Sequence, residues 1–256
     1  MKKPLILISN DDGIESDGIR ALWREMRKIG EVFVAAPNTQ QSAVGHSITI
    51  ASPIRARKNL IDKNFYGYAV EGTPADSVKL AVRNLLKGKK IDLLISGINH
   101  GSNTAINTIY SGTVSAATEG TILGIPSIAM SLASFTYKDF SYAAKFSSKI
   151  AKLVLKTGLP KGTLLNVNIP AVEKEKIKGV LITKQGKSFW DDHYESRLDP
   201  NNREYFWLTG KMAVMDKTLE FDEIAIRNNY VSITPIHYDL TDYDLYESLK
   251  EWKIKI

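Results

Sequence analysis

Residues 5–13 of the chain read Leu-Ile-Leu-Ile-Ser-Asn-Asp-Asp-Gly, a short apolar run that ends at two adjacent acids. Residues 5–8 show no polar alternation, so they predict a strand buried on both faces. Gly13 favours a turn soon after this strand. Because ligands collect at the carboxyl ends of strands in an open α/β sheet, we expect Asp11 and Asp12 to lie at a binding site.

The composition is that of an ordinary globular protein. With 256 residues, 43% apolar and 24% charged, the chain can form one large α/β domain with an appendage. The net charge of +6 is spread along the sequence. Because nucleic-acid binding usually needs a concentrated basic face, we expect no nucleic-acid partner. The absence of cysteine excludes disulfides and thiolate ligands. The apolar runs of the chain are too short for a signal peptide or a membrane span, so we expect a cytoplasmic protein with no membrane partner.

Strand-like and helix-like segments alternate over the first two-thirds of the chain, which is typical of a parallel sheet covered by helices. The predicted strands are 5–9, 32–36, 93–96, 127–131 and 163–168. The predicted helices are 18–28, 74–86, 114–123 and 140–156. Two β-rich pieces within 47–70 predict an antiparallel edge. The fold class is therefore α/β, with a predominantly parallel sheet and flanking helices.

The character of the sequence changes after Pro170. Charged and aromatic residues mix over 184–207, which predicts an extended β-hairpin arm. Such aromatic enrichment is typical of an interface, and packing on the main body is the alternative. A strand near 231–234 and an amphipathic helix near 243–252 follow. We treat 1–256 as a single domain, with a core over about 1–170 and an arm and C-terminal region over about 171–256.

Polar side chains also follow two other predicted strands. Ser42 lies beyond the second strand, and Asn99 lies in a loop after a strand predicted to end at Ser96. Together with Asp11 and Asp12, they offer carboxylate, hydroxyl and amide oxygens, which favour a hard cation such as Mg²⁺, Mn²⁺ or Ca²⁺. Adjacent carboxylates repel each other unless a cation or a proton lies between them. Taken alone, Asp-Asp-Gly is also a common turn sequence.

A second polar motif opens a predicted helix. Residues 110–117 read Tyr-Ser-Gly-Thr-Val-Ser-Ala-Ala. Helix N-termini bind phosphate through free N–H groups and the positive end of the dipole. The hydroxyls of Ser111 and Thr113 around Gly112 favour this interpretation over a simple N-cap. His100 is a candidate acid, although a lone histidine is more often a packing or surface residue.

Eight motifs follow one another in order and cover nearly the whole chain. Five are Asn10-Asp11-Asp12-Gly13, Gln41-Ser42, Gly72-Thr73-Pro74-Ala75-Asp76, Ser96-Gly97-Ile98-Asn99-x-Gly101 and Tyr110-Ser111-Gly112-Thr113, and three more lie at 124–129, 166–170 and 232–235. This set resembles the SurE family of metal-dependent nucleoside-monophosphate phosphatases. The resemblance implies a Rossmann-like sheet and one divalent cation per subunit, Mg²⁺ or Mn²⁺.

The resemblance also assigns roles by position. It implies that the metal ligands are Asp11, Asp12, Ser42 and Asn99, and that the phosphate contacts are Asn103, Ser111, Gly112 and Thr113. It further implies a homodimer or homotetramer, formed through the arm and a swapped C-terminal tail. One position departs from the pattern, because many relatives have a glycine where Ala105 stands.

The predicted reaction is hydrolysis of a nucleoside monophosphate to nucleoside and phosphate by a metal-activated water. Asp11 and Asp12 are the predicted catalytic residues, which hold the ion and orient the water. Polyphosphate is a second candidate substrate. Two alternatives stay open. One is a haloacid-dehalogenase-type phosphatase with a nucleophilic aspartate, although that type expects Asp-x-Asp. The other is a non-catalytic sensor of nucleotide and metal.

Overall fold

The computed structural model describes residues 3–61, 64–252 and 254. Its strands are β1 (Leu5–Ser9), β2 (Glu31–Pro37), β3 (Ala56–Ile61), β4 (Asn64–Val70), β5 (Leu93–His100), β6 (Ser127–Leu132), β7 (Thr163–Ile169), β8 (Gly179–Ile182), β9 (Phe189–Leu198), β10 (Glu204–Ala213) and β11 (Tyr230–His237). The α-helices are α1 (Asp17–Met26), α2 (Pro74–Leu80), α3 (Asn107–Tyr110), α4 (Gly112–Ile122), α5 (Ser141–Thr157), α6 (Asp222–Arg227) and α7 (Tyr243–Leu249). A π-helical turn, Ala81–Leu85, extends α2, and a 3-10 turn, Lys174–Lys176, precedes β8.

Nine of these strands form one sheet in the order β3-β4-β2-β1-β5-β6-β7-β11-β8. The pairs from β4 to β7 are parallel, while β3 and β11 are antiparallel to β4 and β7. The chain runs from β1 to β2 on one side and later returns to β5 on the other. This reversal opens a crevice at the carboxyl ends of β1 and β5, the usual place for a ligand in such a sheet.

The surroundings of β1 explain why its sequence shows no alternation of apolar and polar residues. Ile6 and Ile8 pack in one buried cluster with side chains of α1 and α5. Leu5 and Leu7 point the other way and pack with side chains of α2 and α4. Because both faces of the sheet are covered, every residue of β1 is buried. Each fully buried Leu or Ile side chain contributes about 1.5–3 kcal/mol to folding through removal of apolar surface from water.

The predicted fold class is confirmed in its main features, including the parallel sheet, the flanking helices and the hairpin arm. Strands β9 and β10 pair only with each other, and most of their residues are exposed. The main sheet continues past residue 170 through β11 and β8. Helix α7 buries none of its residues in this chain. Exchange of this tail between subunits stays a prediction.

The predicted end of β5 at Ser96 was wrong, because the strand continues to His100. Its register against β6 shifts between Ser96 and Asn99. Gly97 lies at the shift with φ +132°, and a Cβ there would lie 2.3 Å from the carbonyl oxygen of Met130. Gly97, predicted to lie in a loop after the strand, is thus at a bulge within it. The shift places Asn99 inside the sheet rather than in a free loop.

Among the described residues, no helix combines the length and the apolar character that crossing a bilayer requires.

Candidate functional site

A pocket of about 420 Å³ opens at the carboxyl ends of β1 and β5. It is lined by six of the predicted site residues, namely Asp11, Asp12, Ser42, Asn99, Asn103 and Ser111. Thr113 lies behind this lining and contacts Asp11. The fold therefore brings together residues from four separate stretches of sequence at the crevice that the strand order creates.

Asp11 follows β1 directly and is only 7% exposed. Its Oδ1 atom accepts a hydrogen bond from Thr113 Oγ1, and its carbonyl oxygen accepts one from Gln41 N at 2.7 Å. Burial raises the pKa of Asp11 to about 6, and repulsion from Asp12 adds to the rise, although the Thr113 hydrogen bond acts against it. The ionised carboxylate is therefore costly to keep here unless a positive charge lies beside it.

Asp12 is less buried than its neighbour. Its Oδ2 atom accepts a hydrogen bond from His100 N at 3.0 Å, which fixes the carboxylate against the end of β5. Burial raises the pKa of Asp12, and the hydrogen bond from His100 partly offsets that rise. Two adjacent acids with raised pKa values are the electrostatic pattern that a bound cation would stabilise.

Asn99 and Ser42 complete the set of oxygen donors. The Nδ2 atom of Asn99 donates to Gly101 O at 2.8 Å, which leaves the Oδ1 atom of the side chain to act as a ligand. Ser42 is exposed at the pocket, and its Oγ atom accepts from Gln40 Nε2 at 2.9 Å. Two carboxylates, a hydroxyl and an amide oxygen fit a hard divalent ion such as Mg²⁺ or Mn²⁺.

Among the described residues, no group of three or more His, Cys, Asp or Glu side chains could hold a metal ion, at this pocket or elsewhere. An ion at the pocket would therefore need the hydroxyl and amide oxygens, with water, in addition to the two acids. This is the coordination that Mg²⁺ accepts readily, since it keeps several waters when protein-bound.

The segment that carries Ser42 is tied to the helices beside the pocket. His46 Nε2 lies 3.0 Å from Glu119 Oε2 on α4. Thr49 donates through its backbone N to Asp76 Oδ1 at 2.9 Å and through its hydroxyl to Oδ2 at 2.6 Å. Closer to Ser42, Gln41 N donates to Asp11 O at 2.7 Å and Gly45 N donates to Tyr110 O at 3.1 Å, so the segment is tied to the pocket on both sides of Ser42.

The turn before α4 lies directly against the acids. Ser111 is the N-cap of α4, with its Oγ accepting from Val114 N at 3.0 Å, so the simple capping role is present. A Cβ on Gly112 would lie 2.8 Å from Asp11 Cβ, so only glycine lets the helix start approach this closely. The positive end of the α4 dipole therefore faces the two carboxylates and the pocket.

Asn103 is held at every polar backbone atom. Its N donates to Asn168 Oδ1 at 2.8 Å, and its O accepts from Asn166 Nδ2 at 2.7 Å. Its own Nδ2 donates to Ser131 Oγ at 2.9 Å. Sequence reasoning missed the roles of Asn166 and Asn168. The signal was available, because alternate residues of a strand share one face and both amides follow that spacing.

The departure at Ala105 has a structural explanation. Ala105 has φ +50°, the left-handed region that glycine adopts freely and other residues rarely do. Its N donates to Asp222 Oδ2 at 3.0 Å, while Asp222 Oδ1 accepts from Gly186 N at 2.9 Å. The backbone therefore keeps a glycine-like conformation without a glycine, and Asp222 from α6 holds it there.

Comparison with known proteins decides the family. The family model described as Survival protein SurE matches residues 6–192. The chain belongs to the SurE family. A SurE relative from Chlorobium phaeobacteroides, named 5′-nucleotidase SurE, is 49% identical over 255 residues, covering 100% of this chain and 98% of its own. Another of the same name from Cytophaga hutchinsonii is 46% identical and covers 99% and 98%.

The solved SurE protein from Aquifex aeolicus has the same fold. Its crystal structure matches with a TM-score of 0.84 at 44% identity, covering 96% of this chain and 98% of that one. The SurE resemblance predicted from the motifs is thus confirmed over the full length, arm included.

Proposed function

We propose that this SurE-family chain is a 5′-nucleotidase that hydrolyses nucleoside monophosphates to nucleoside and phosphate with one Mg²⁺ or Mn²⁺ ion per subunit. The observation that carries the proposal is the pair of the buried Asp11 and the half-buried Asp12, whose pKa values are raised. The pair shares a pocket with Ser42, Asn99 and the start of α4. The shared name of the relatives, 5′-nucleotidase SurE, supports the reaction class.

Asp11, Asp12, Ser42 and Asn99 would hold the ion. Such an ion lowers the pKa of a bound water and neutralises charge that develops on phosphoryl oxygens. Thr113 fixes the orientation of Asp11, and the His100 N–H fixes that of Asp12. Asp12 is the more exposed acid, so it is the better placed of the two to orient an attacking water.

The phosphate would lie between the acids and the start of α4. Backbone N–H groups of Gly112 and Thr113 supply donors at the positive end of the helix dipole. Asn103 lines the same pocket, and its backbone is fixed by Asn166 and Asn168. This arrangement would place a phosphate ester within reach of the two acids and of the N–H groups at the start of α4.

The test is phosphate release from nucleoside monophosphates by Asp11→Asn and Asp12→Asn enzymes. Each substitution removes a charge with little change in shape, so kcat/KM should fall by about a thousandfold or more. Asp92→Asn is the matched control. Asp92 accepts from Leu5 N at 2.9 Å at the other end of β1, and asparagine can keep that bond. The control should retain the wild-type rate.

Chelation separates the remaining alternatives. EDTA should abolish the activity, and Mg²⁺ or Mn²⁺ should restore it. A non-catalytic sensor would bind nucleotide and metal without releasing phosphate, and full activity in Asp11→Asn would contradict the proposed role of the acids. Since the chain belongs to the SurE family, the haloacid-dehalogenase alternative has lost its support. Polyphosphate belongs in the same screen as a second substrate.

We also propose that the arm and the tail join subunits into a homodimer or homotetramer. The register of β9 and β10 puts Tyr194, Phe206 and Leu208 on one face of the arm, and all three are exposed. Leu240 and Trp252 of the tail are exposed as well. Clustered apolar surface of this kind is typical of a binding interface.

A further inference from the structure

The pocket combines a polar floor with an aromatic rim. Three large rings line it beside the small and polar residues already described. They are Phe135, Tyr110 and Trp190, which are 83%, 55% and 46% exposed. Exposed aromatic surface gathered at one pocket indicates that a ligand covers it.

Phe135 is seated on the backbone of Gly101. A Cβ at Gly101 would lie 2.6 Å from Phe135 Cε1, and Gly101 has φ +99°. The same glycine donates through N to Leu132 O at 2.8 Å and to Ser134 O at 3.1 Å, which anchors the loop that carries Phe135. The φ of +99° favours glycine at position 101, and most of the Phe135 ring surface remains free for a ligand.

Trp190 reaches the same pocket from a different part of the chain. It is the second residue of β9, at the base of the arm. Its Nε1 donates to Asn107 Oδ1 at 2.8 Å, and Asn107 begins the short helix α3 that ends at Tyr110. The hydrogen bond ties the indole to α3 beside the pocket, so the base of the arm contributes to the site.

We propose that Tyr110, Phe135 and Trp190 form a base platform, a surface on which the nucleobase of the substrate stacks. The inference rests on the proposed function. If the phosphate lies between Asp11 and Ser111, the ribose and the base extend into the remainder of the pocket. The base platform supplies the large apolar surface there. A volume of about 420 Å³ is within the usual range for a small-molecule site.

The chemistry of stacking sets the expected specificity. Every nucleobase presents a π face, so an aromatic platform accepts all of them, with the larger purines favoured by contact area. The base platform therefore predicts nucleoside monophosphates as a class, purines first, in preference to phosphate esters that carry no ring.

The test compares each nucleoside monophosphate with ribose 5-phosphate, which has the phosphate and the sugar but no base. Phe135→Ala and Trp190→Ala should each raise KM for nucleotides about tenfold, the equivalent of one base–aromatic stack. KM for ribose 5-phosphate should stay unchanged, and kcat should change little for either substrate. Trp190→Phe keeps a ring and should restore most of the nucleotide preference.

Trp207→Ala is the matched control. Trp207 lies on the same arm but on the face opposite Tyr194, and it does not line the pocket. It should leave the ratio of the two KM values at the wild-type level. A second readout is the affinity of the metal-free protein for the product nucleoside, measured by calorimetry. Phe135→Ala should weaken this binding as well.

The outcomes separate the two proposals. Equal losses on nucleotide and on ribose 5-phosphate in the Phe135 and Trp190 variants would overturn the base platform while leaving the nucleotidase proposal intact. A wild-type enzyme that releases no phosphate from any nucleotide would overturn the proposed function, and nucleoside binding would then still decide the platform. An unchanged affinity of Phe135→Ala for the nucleoside would overturn the base platform.

Discussion

Two regions of the molecule depart from the usual arrangement, in which polar side chains are exposed and apolar side chains are buried. They are the carboxyl edge of the sheet and the arm with its tail. At the carboxyl edge, polar groups such as Asp11, Asn103 and Asn166 are buried. On the arm, apolar groups such as Tyr194 and Phe206 are exposed. A buried polar group is stable only when it is paired, and an exposed apolar face is stable only when something covers it.

The two regions therefore depend on different partners. Several buried polar atoms at the carboxyl edge, including Asn10 Oδ1, Ser96 Oγ and Asn166 Oδ1, have no hydrogen-bond partner among the described residues. The charges of the two acids are unbalanced as well. That imbalance favours an ion and a substrate. Among the described strands, those of the arm pair with each other and with no other, so the imbalance of the arm is one of surface area and favours a second subunit. The three predictions that follow test this contrast, from the largest expected effect to the smallest.

The packing behind the carboxyl edge should tolerate almost no added volume. A Cβ at Gly18 on α1 would lie 1.9 Å from the carbonyl oxygen of Ile98 and 3.2 Å from the ring of Phe140. Gly18→Ala should therefore lower the free energy of unfolding by about 3 kcal/mol or more, measured by urea denaturation.

Gly88→Ala is the control for that experiment. A Cβ at Gly88 has open space around it, and only its φ of +81° opposes a side chain. Its cost should be about 1 kcal/mol. Equal losses in the two variants would show that close packing at the end of β5 is not what restricts position 18.

The charge at the carboxyl edge should destabilise the metal-free fold at neutral pH. The pKa of Asp11 rises from 3.8 to about 6 in the folded state. The folded protein therefore holds this proton more tightly than the unfolded chain does. The stability that this proton contributes is fully present below pH 3.8 and is lost as the pH rises through 6. The free energy of unfolding should fall by about 3 kcal/mol over that range.

Asp11→Asn keeps an uncharged side chain at every pH and can still accept the hydrogen bond from Thr113. At pH 8, the metal-free variant should be more stable than the wild type by about 1–3 kcal/mol, and at pH 5 the difference should fall to about half. Thermal unfolding at the two pH values measures this. Adding Mg²⁺ should stabilise only the wild type, and a variant less stable at pH 8 would contradict the assignment.

The arm should affect association far more than the stability of each chain. Replacing Tyr194 and Leu208 by serine removes apolar surface from one face of the arm. The free energy of unfolding per chain should change by less than about 0.5 kcal/mol for each substitution. The molecular mass in solution, measured by light scattering, should fall toward that of a single subunit. Trp207→Ser, on the opposite face, should leave the mass unchanged.

Sequence patterns were sufficient where a local rule decides the structure. The uninterrupted run at 5–8 predicted a doubly covered strand, and the alternation of strand-like and helix-like segments predicted a parallel sheet with flanking helices. Asp11 was predicted to follow the first strand, and it lies directly after β1 at the pocket. In each case, periodicity or position carries the physical cause.

Patterns failed where the decisive contact is distant. The residues after Ser96 were predicted to form a loop, yet Gly97 lies inside the sheet, where its backbone closely approaches that of Met130. Ala105 is held in a left-handed conformation by Asp222, a residue 117 positions away. The place of Trp190 at the pocket depends on how the arm leaves the main sheet. None of these can be predicted from neighbouring residues alone, because the partner is supplied by the tertiary fold.

The hydrogen bond from Thr113 to Asp11 has a consequence for how these two positions vary among related sequences. The two residues are 102 positions apart, and the bond joins the strand that carries the acid to the helix that faces the phosphate. A chain that lost the hydroxyl at 113 would leave the buried acid at 11 with its charge and one donor fewer. We therefore expect the two positions to change together across relatives, as one heritable unit divided between distant parts of the sequence.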